Sequence, residues 1–184
     1  MLHVWHAIAG AGVSVPQLEQ CIERLSAERA WQVMGLDAGA AVDIFRLPGI
    51  YGPGRSAIDQ VKAGTARRID KPGQVFSRIH VEDLAGTVLA AISRPRGGAI
   101  YNVADDLPAS TADVVAFACQ LLGRDVPAAI PWRDIEPSLS AMARSFYLEN
   151  RRVRNDRIKR ELGVALRYPT YREGLRAIAA RSGP

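Results

Sequence analysis

Lysine is scarce in this chain. Only Lys62, Lys71 and Lys159 of its 24 basic residues are lysine; the rest are arginine, set against 19 acidic residues for a net charge of +5. The positive charge gathers late, in Arg144, Arg151, Arg152, Arg154, Arg157, Lys159 and Arg160. Such a cluster reads either as an anion or nucleic-acid surface or as the solvated face of an arginine-rich helix. No aromatic stacking platform or zinc-finger spacing accompanies it, so nucleic acid is not the expected partner. Cysteine is nearly absent too. Cys21 and Cys119 sit in apolar helical patterns without CxxC spacing, which excludes a disulfide framework and points to reduced core residues. No apolar run reaches the roughly 18 residues of a membrane span. The start, MLHVWHAIAGAGVSV, lacks the positive n-region of a signal peptide, so a cytoplasmic protein with no membrane partner is expected. No internal repeat is visible, which excludes a solenoid.

What is present is the balance of a globular domain, 48% hydrophobic and 23% charged over 184 residues. That length suits one domain with a small second lobe, and its core needs no disulfide or metal to hold it. Apolar residues at helical spacing predict a helix over residues 15–36. AVDIFRL (41–47) predicts a buried strand ended by Pro48 and Gly49, and residues 56–62 a short helix. A helix is expected over 81–93, with Leu84, Val88, Leu89 and Ile92 on one face and Pro95 beyond its end. GAIYNVAD (98–105) predicts a second strand. Ser110 with Asp113 marks a helix start, Gly123 its C′ position, and two more helices follow, around 155–162 and from the Thr170/Glu173 capping box. Strand and helix alternating over short connections predict a parallel α/β sheet, although two confident strands are too few to stand alone.

The segment FRLPGIYGPGRS (45–56) runs from a strand straight into a glycine-proline loop. Taken alone, it is a strand stop followed by a turn. Together with FSRIHVEDLAGTVLAAI, GAIYNVADD and NDRIKRELG in that order, it resembles the C-terminal half of an extended short-chain dehydrogenase/reductase, the NAD-dependent epimerase/dehydratase group. The resemblance covers most of the chain from Leu25 onward. It implies a partial Rossmann-like parallel sheet with helices, plus the small C-terminal substrate lobe. Residues 1–14 are then unassigned, 15–104 form the Rossmann-like region with its substrate-loop insertion, and 105–184 form the lobe. By position it places Leu47, Pro48, Gly49 and Ile50 beside the nicotinamide of NAD or NADP, at the carboxyl end of a strand where ligands bind in open α/β folds. It places Tyr51 and Arg55 toward a small-molecule substrate, with Arg144 as an anion contact. His80 reads as structural rather than as a general base, and Asp83 as a first-turn acid favoured by the helix dipole.

Three departures bear on function. Gly10-Ala11-Gly12 is the one candidate phosphate cradle, yet Val15 stands where a third glycine belongs and Pro16 follows. None of Tyr51, Tyr101, Tyr147, Tyr168 and Tyr171 has a lysine four residues on, so the family's Tyr-x-x-x-Lys pair is missing. Setting Ala27-Glu28 on the family's Ala-Glu puts Gln20 at the tyrosine position and Arg24 at the lysine position; Gln cannot titrate and Arg24 stays charged. Phe76 occupies the place of the arginine that binds a sugar-nucleotide diphosphate, while Arg78 takes the usual aromatic place. No catalytic residue is therefore expected. MLHVWHAIAGAGVSV resembles no part of the family's N-terminal half, and a truncated frame or a partner chain with the missing strands would account for that. The sequence leaves three functions open: the C-terminal region of an NAD(P)-dependent oxidoreductase, inactive alone; a non-catalytic ligand- or partner-binding module of the same ancestry; or, as the least expected, an anion- or nucleic-acid-binding protein. The open sheet edge leads us to expect a homo-oligomer or a partner chain covering it.

Overall fold

The computed structural model describes residues 15–148, 150 and 152–181. Gly10-Ala11-Gly12 and Arg151 lie outside them. The chain is mixed α/β and divides into two compact units. The smaller takes in residues up to Ile44 with Pro95–Ala99, and the larger holds Phe45–Arg94 and Ile100–Pro184.

In the smaller unit, α1 (Val15–Asp37) ends at Gly39, whose φ of 64° is the left-handed turn that glycine allows. Most of the helix is exposed, including Ile22, Leu25, Trp31, Val33, Met34 and Leu36. Cys21 is exposed as well, so the expectation of a core cysteine holds for Cys119 and fails for Cys21. The apolar spacing that predicts this helix is correct, but within this unit few of its apolar residues are covered.

The strands are shorter than the β-prone runs in the sequence. β1 (Ile44–Arg46) pairs with β5 (Ile100–Asn102), and Val103 N–H donates to the Arg46 carbonyl at 3.1 Å. β2 (Gly49–Tyr51) lies parallel to β4 (Arg78–His80), with Gly49 opposite Arg78 and Tyr51 opposite His80. β3 (Ile69–Asp70) pairs parallel with β6 (Ile130–Pro131), two strands too short for periodicity to reveal. The helices of the larger unit begin and end where their caps dictate. α2 (Ala57–Lys62) carries a full capping box between Ser56 and Asp59. α3 (Val81–Ser93) follows, then α4 (Thr111–Leu121) with Ser110 as N-cap and Gly123 at φ 59° beyond its end. α5 (Trp132–Ile135) and α6 (Ala141–Leu148) cover the connection to α7 (Asp156–Leu162) and α8 (Tyr171–Arg181).

The main apolar core joins α2, α4 and α8 under the end of β2, through Tyr51, Ile58, Val115, Cys119, Tyr171 and Leu175. α3 departs from expectation. Its buried side is Asp83, Thr87 and Ala91, whereas Leu89 and Ile92 are 64% and 69% exposed. The cause is polar: the Asp83 carboxylate accepts the backbone N–H groups of Arg167 and Tyr168 at 2.7 and 3.0 Å, and Thr87 donates to the Asp83 carbonyl at 2.7 Å. These bonds turn the acid inward, leaving Leu84 and Val88 half-buried and Leu89 and Ile92 in solvent. Much of the late basic cluster is already paired, Arg154 with Asp156 at 2.7 Å and Arg157 with Glu161 at 2.9 Å. Lys159 reaches Asp106 and Arg160 reaches Glu161.

Candidate functional site

Pro53 and Gly54 occupy the middle of a tight turn in which the Arg55 N–H donates to the Gly52 carbonyl at 3.0 Å. Proline presets the first corner, and the φ of 77° at Gly54 is the conformation the second corner demands. The turn carries the chain from β2 into α2. A cavity of about 400 Å³ opens beside it, bounded by Ile50, Tyr51, Arg55, Arg78, Thr111 and Tyr171 among others. A second cavity, of about 350 Å³, shares Arg78 and Thr111 with the first and adds Gly49, Phe76, Phe146 and Tyr147.

Of the residues expected at the nicotinamide, Gly49 therefore borders one cavity and Ile50 the other, while Leu47 and Pro48 line neither. Tyr51 and Arg55 both reach the first. Arg144 reaches neither: its guanidinium Nη2 donates to the Leu139 carbonyl at 3.4 Å and its Nε is buried without a partner among the described residues. At Gly49 the backbone is bare. A Cβ there would meet only the Ser77 carbonyl, at 3.9 Å, so a flat ring can approach this strand. Phosphates fare worse. The Gly-rich turn before α2 is the one place where a described strand meets a helix through such a loop, and Asp59 already takes the Ser56 N–H at 2.8 Å and its hydroxyl at 2.6 Å. A carboxylate at that helix start repels a pyrophosphate, so this turn is no cradle for phosphates.

Electrostatics set the character of the cavities. The Tyr51 phenol is buried and makes no hydrogen bond among the described residues. Burial, reinforced by Asp105 and Asp83, holds its ionisation far above the usual phenol range, so it remains a neutral donor. Arg78 stands between the two cavities. Its Nη1 donates to the Phe76 and Ala109 carbonyls at 3.0 and 2.8 Å, across the bridge that pairs those two residues. Burial lowers its basicity from the ordinary value, and no carboxylate among the described residues lies within ion-pair distance of it. Asp105, 1% exposed, is raised by burial to about 7, opposed by the Leu107 N–H and by Arg78. His80 is structural: its Nδ1 accepts the Glu82 N–H at 3.2 Å as the N-cap of α3, and its ring lies between Tyr51 and Tyr168 at centroid distances of 5.2 and 4.1 Å.

Sequence reasoning passed over Arg78 and Asp105 as functional residues. Both carried a signal, since an ionisable residue within or directly after a buried strand is rare unless something holds it there.

No family model matches the chain. The 3-diazoavenalumate denitrifying reductase of a Streptomyces species is 29% identical to it over 141 residues, 72% of this chain and 45% of that protein. The structure of a functionally unknown conserved protein from Silicibacter pomeroyi DSS is 51% identical, with a TM-score of 0.77 over 88% of this chain and 55% of that one. The human epimerase family protein SDR39U1, solved with NADPH, superposes with a TM-score of 0.65 at 22% identity over 77% of this chain and 49% of that one. The chain spans about half the length of the proteins it matches. It has the fold of the C-terminal part of the extended short-chain dehydrogenase/reductases, the NAD-dependent epimerase/dehydratase family.

Proposed function

We propose that the chain forms the substrate side of an NAD(P)-dependent oxidoreductase, without an acid/base tyrosine–lysine pair of its own. A single observation carries this reading: β2 ends at the walls of both cavities, with bare backbone at Gly49 and a neutral phenol at Tyr51. A Streptomyces relative that is a reductase and a human fold neighbour solved with NADPH support it. When bound, the nicotinamide supplies hydride exchange with a carbon bearing a hydroxyl or carbonyl. Leu47, Pro48, Gly49 and Ile50 would form its wall, the Tyr51 ring would border the substrate, and Arg55 and Arg78 would hold negative charge. Leu47 and Pro48 act from outside the cavity linings, and Arg144 serves from α6 only if that helix moves.

A second reading, a ligand- or partner-binding module without redox chemistry, draws on the absence of a phosphate cradle. A further chain, either a second copy or a partner, is inferred to cover the open edge of β1. The exposed Trp31, Val33, Met34 and Leu36 of α1, and separately Leu89 and Ile92 of α3, are apolar residues that such a chain could cover. Light scattering is expected to return a mass above that of the monomer.

Saturation-transfer NMR with NADH and NADPH tests the redox reading on the 184-residue chain. Signal is expected at the nicotinamide protons and not at the adenine. Gly49→Val should abolish it in a protein that still folds, because the space before Gly49 is open. Absence of a nicotinamide signal from folded protein would favour the binding module.

A further inference from the structure

The second cavity pairs one cation with three aromatic rings. Phe76, Phe146 and Tyr147 supply the rings, Arg78 the charge, and Thr111 a hydroxyl; among the described residues no acidic side chain lines it. Gly49 and Ala143 leave the remaining wall flat. The aromatic wall is braced from behind: Tyr147 packs edge-on against Phe76 at 5.8 Å and lies 4.9 Å from Trp132, over which the Lys71 ammonium sits at 4.6 Å. The Arg78 guanidinium uses only Nη1 for its two carbonyl bonds, so Nε and Nη2 make no hydrogen bond among the described residues. Thr111, the first residue of α4, contributes its hydroxyl to the same wall.

We propose that this cavity takes a planar aromatic carboxylic acid, its carboxylate on the free edge of Arg78 and its ring between Phe76, Phe146 and Tyr147. The inference names a substrate class for the oxidoreductase reading and rests on it for what lies across Gly49. A guanidinium edge matches a carboxylate in two parallel hydrogen bonds, which fixes both direction and plane. One cation and one hydroxyl suit a monoanion better than a diphosphate, which needs several donors. Phe76 at the place of a diphosphate-binding arginine agrees with that. A cavity of about 350 Å³ has the size of an ordinary small-molecule pocket and holds no sugar nucleotide in full.

The test compares 2-naphthoate with its uncharged isostere 2-naphthamide by calorimetric titration of the 184-residue chain. The acid is expected to bind 1:1, and the amide about tenfold or more weakly, the worth of one charge-assisted pair. Arg78→Met should erase the difference between the two ligands. Because Arg78 also holds the Phe76 and Ala109 carbonyls, that variant risks unfolding. Phe146→Ala removes an exposed ring from the wall instead, and is expected to weaken both ligands at least threefold with unchanged circular dichroism. Equal affinity for acid and amide overturns the proposal, and so does no binding of either to folded protein, or binding indifferent to Phe146→Ala. A nicotinamide NMR signal without any preference for the acid would overturn this inference alone. Acid-selective binding without a nicotinamide signal would overturn the redox reading alone and leave the carboxylate pocket standing.

Discussion

The phenol oxygen of Tyr51 faces the backbone of Gly174 so closely that a Cβ at position 174 would lie 2.1 Å from it, with two ring carbons at 2.7 and 2.8 Å. The end of β2 and the start of α8 are thereby locked by one aromatic ring resting on bare backbone. Glycine within a helix ordinarily costs about 1 kcal/mol relative to alanine, so Gly174→Ala would stabilise a helix that nothing touched. Here overpacking wins, and Gly174→Ala is expected to cost about 2–3 kcal/mol. Replacing Tyr51 by valine in the same protein should recover part of that loss. Urea midpoints of the two single variants and the double variant measure the coupling, and a Gly174→Ala chain as stable as the parent would contradict the contact.

The same phenol oxygen has no partner within the fold, and that makes a separate prediction. Burying an unsatisfied hydroxyl costs about 1–3 kcal/mol, so Tyr51→Phe should leave the ligand-free protein equally or more stable. Thermal melts of the parent and the variant measure the effect. A clear loss of ligand-free stability would mean that the hydroxyl has a partner in solution.

Asp105 gives the fold a pH dependence of definite sign. In the fold it keeps its proton up to about pH 7, whereas in the unfolded chain it releases it near about 4. The folded state thus holds more protons across that window, and stability falls as pH rises through it. Asp105→Asn removes this dependence. Its melting temperature should match the parent's at about pH 4.5 and exceed it at about pH 8, by at least about 1 kcal/mol of stability. His80 acts in the opposite sense. Burial lowers its pKa, so the fold loses stability as pH drops below the ordinary histidine value of about 6.5, an effect common to the parent and to Asp105→Asn. An Asp105→Asn melt that follows the parent's slope at every pH would remove the carboxyl from the account.

Helix limits and caps were legible from sequence because they depend on local chemistry. Ser110, the Ser56–Asp59 region, Gly123 and the Thr170/Glu173 pair mark ends that the structure keeps. Strands were legible only as places. IFR and IYN keep three residues each of longer β-prone runs, and β3 and β6 pair Ile69 with Ile130, far apart in the chain and beyond the reach of any window. The face of α3 was misread because periodicity sees apolar residues, while Asp83 goes inward for two backbone N–H groups 84 and 85 residues away. The loop at 48–55 could be read as a candidate ligand wall only through family resemblance, since glycine and proline alone describe a turn equally well. Arg78 became visible as a pocket cation only once β4 was seen beside Gly49.

His80 and Asp83 together fasten the start of α3, and their roles can be told apart. The His80 Nδ1 caps the helix by accepting the Glu82 N–H, and an asparagine side chain can place an oxygen where that nitrogen lies. His80→Asn should therefore lose only ring packing against Tyr51 and Tyr168. His80→Ala loses the cap as well, and should be less stable than His80→Asn by about 1 kcal/mol. Asp83 holds two backbone donors of the segment before α8, so Asp83→Ala should cost about 2–4 kcal/mol through two orphaned N–H groups. The expected order of stability is parent, His80→Asn, His80→Ala, Asp83→Ala. Hydrogen exchange adds a local readout: the Arg167 and Tyr168 amides should lose protection in Asp83→Ala and keep it in His80→Asn. If His80 were a general base rather than a cap, asparagine and alanine would be equally damaging to activity and equally mild to stability, which reverses the predicted contrast.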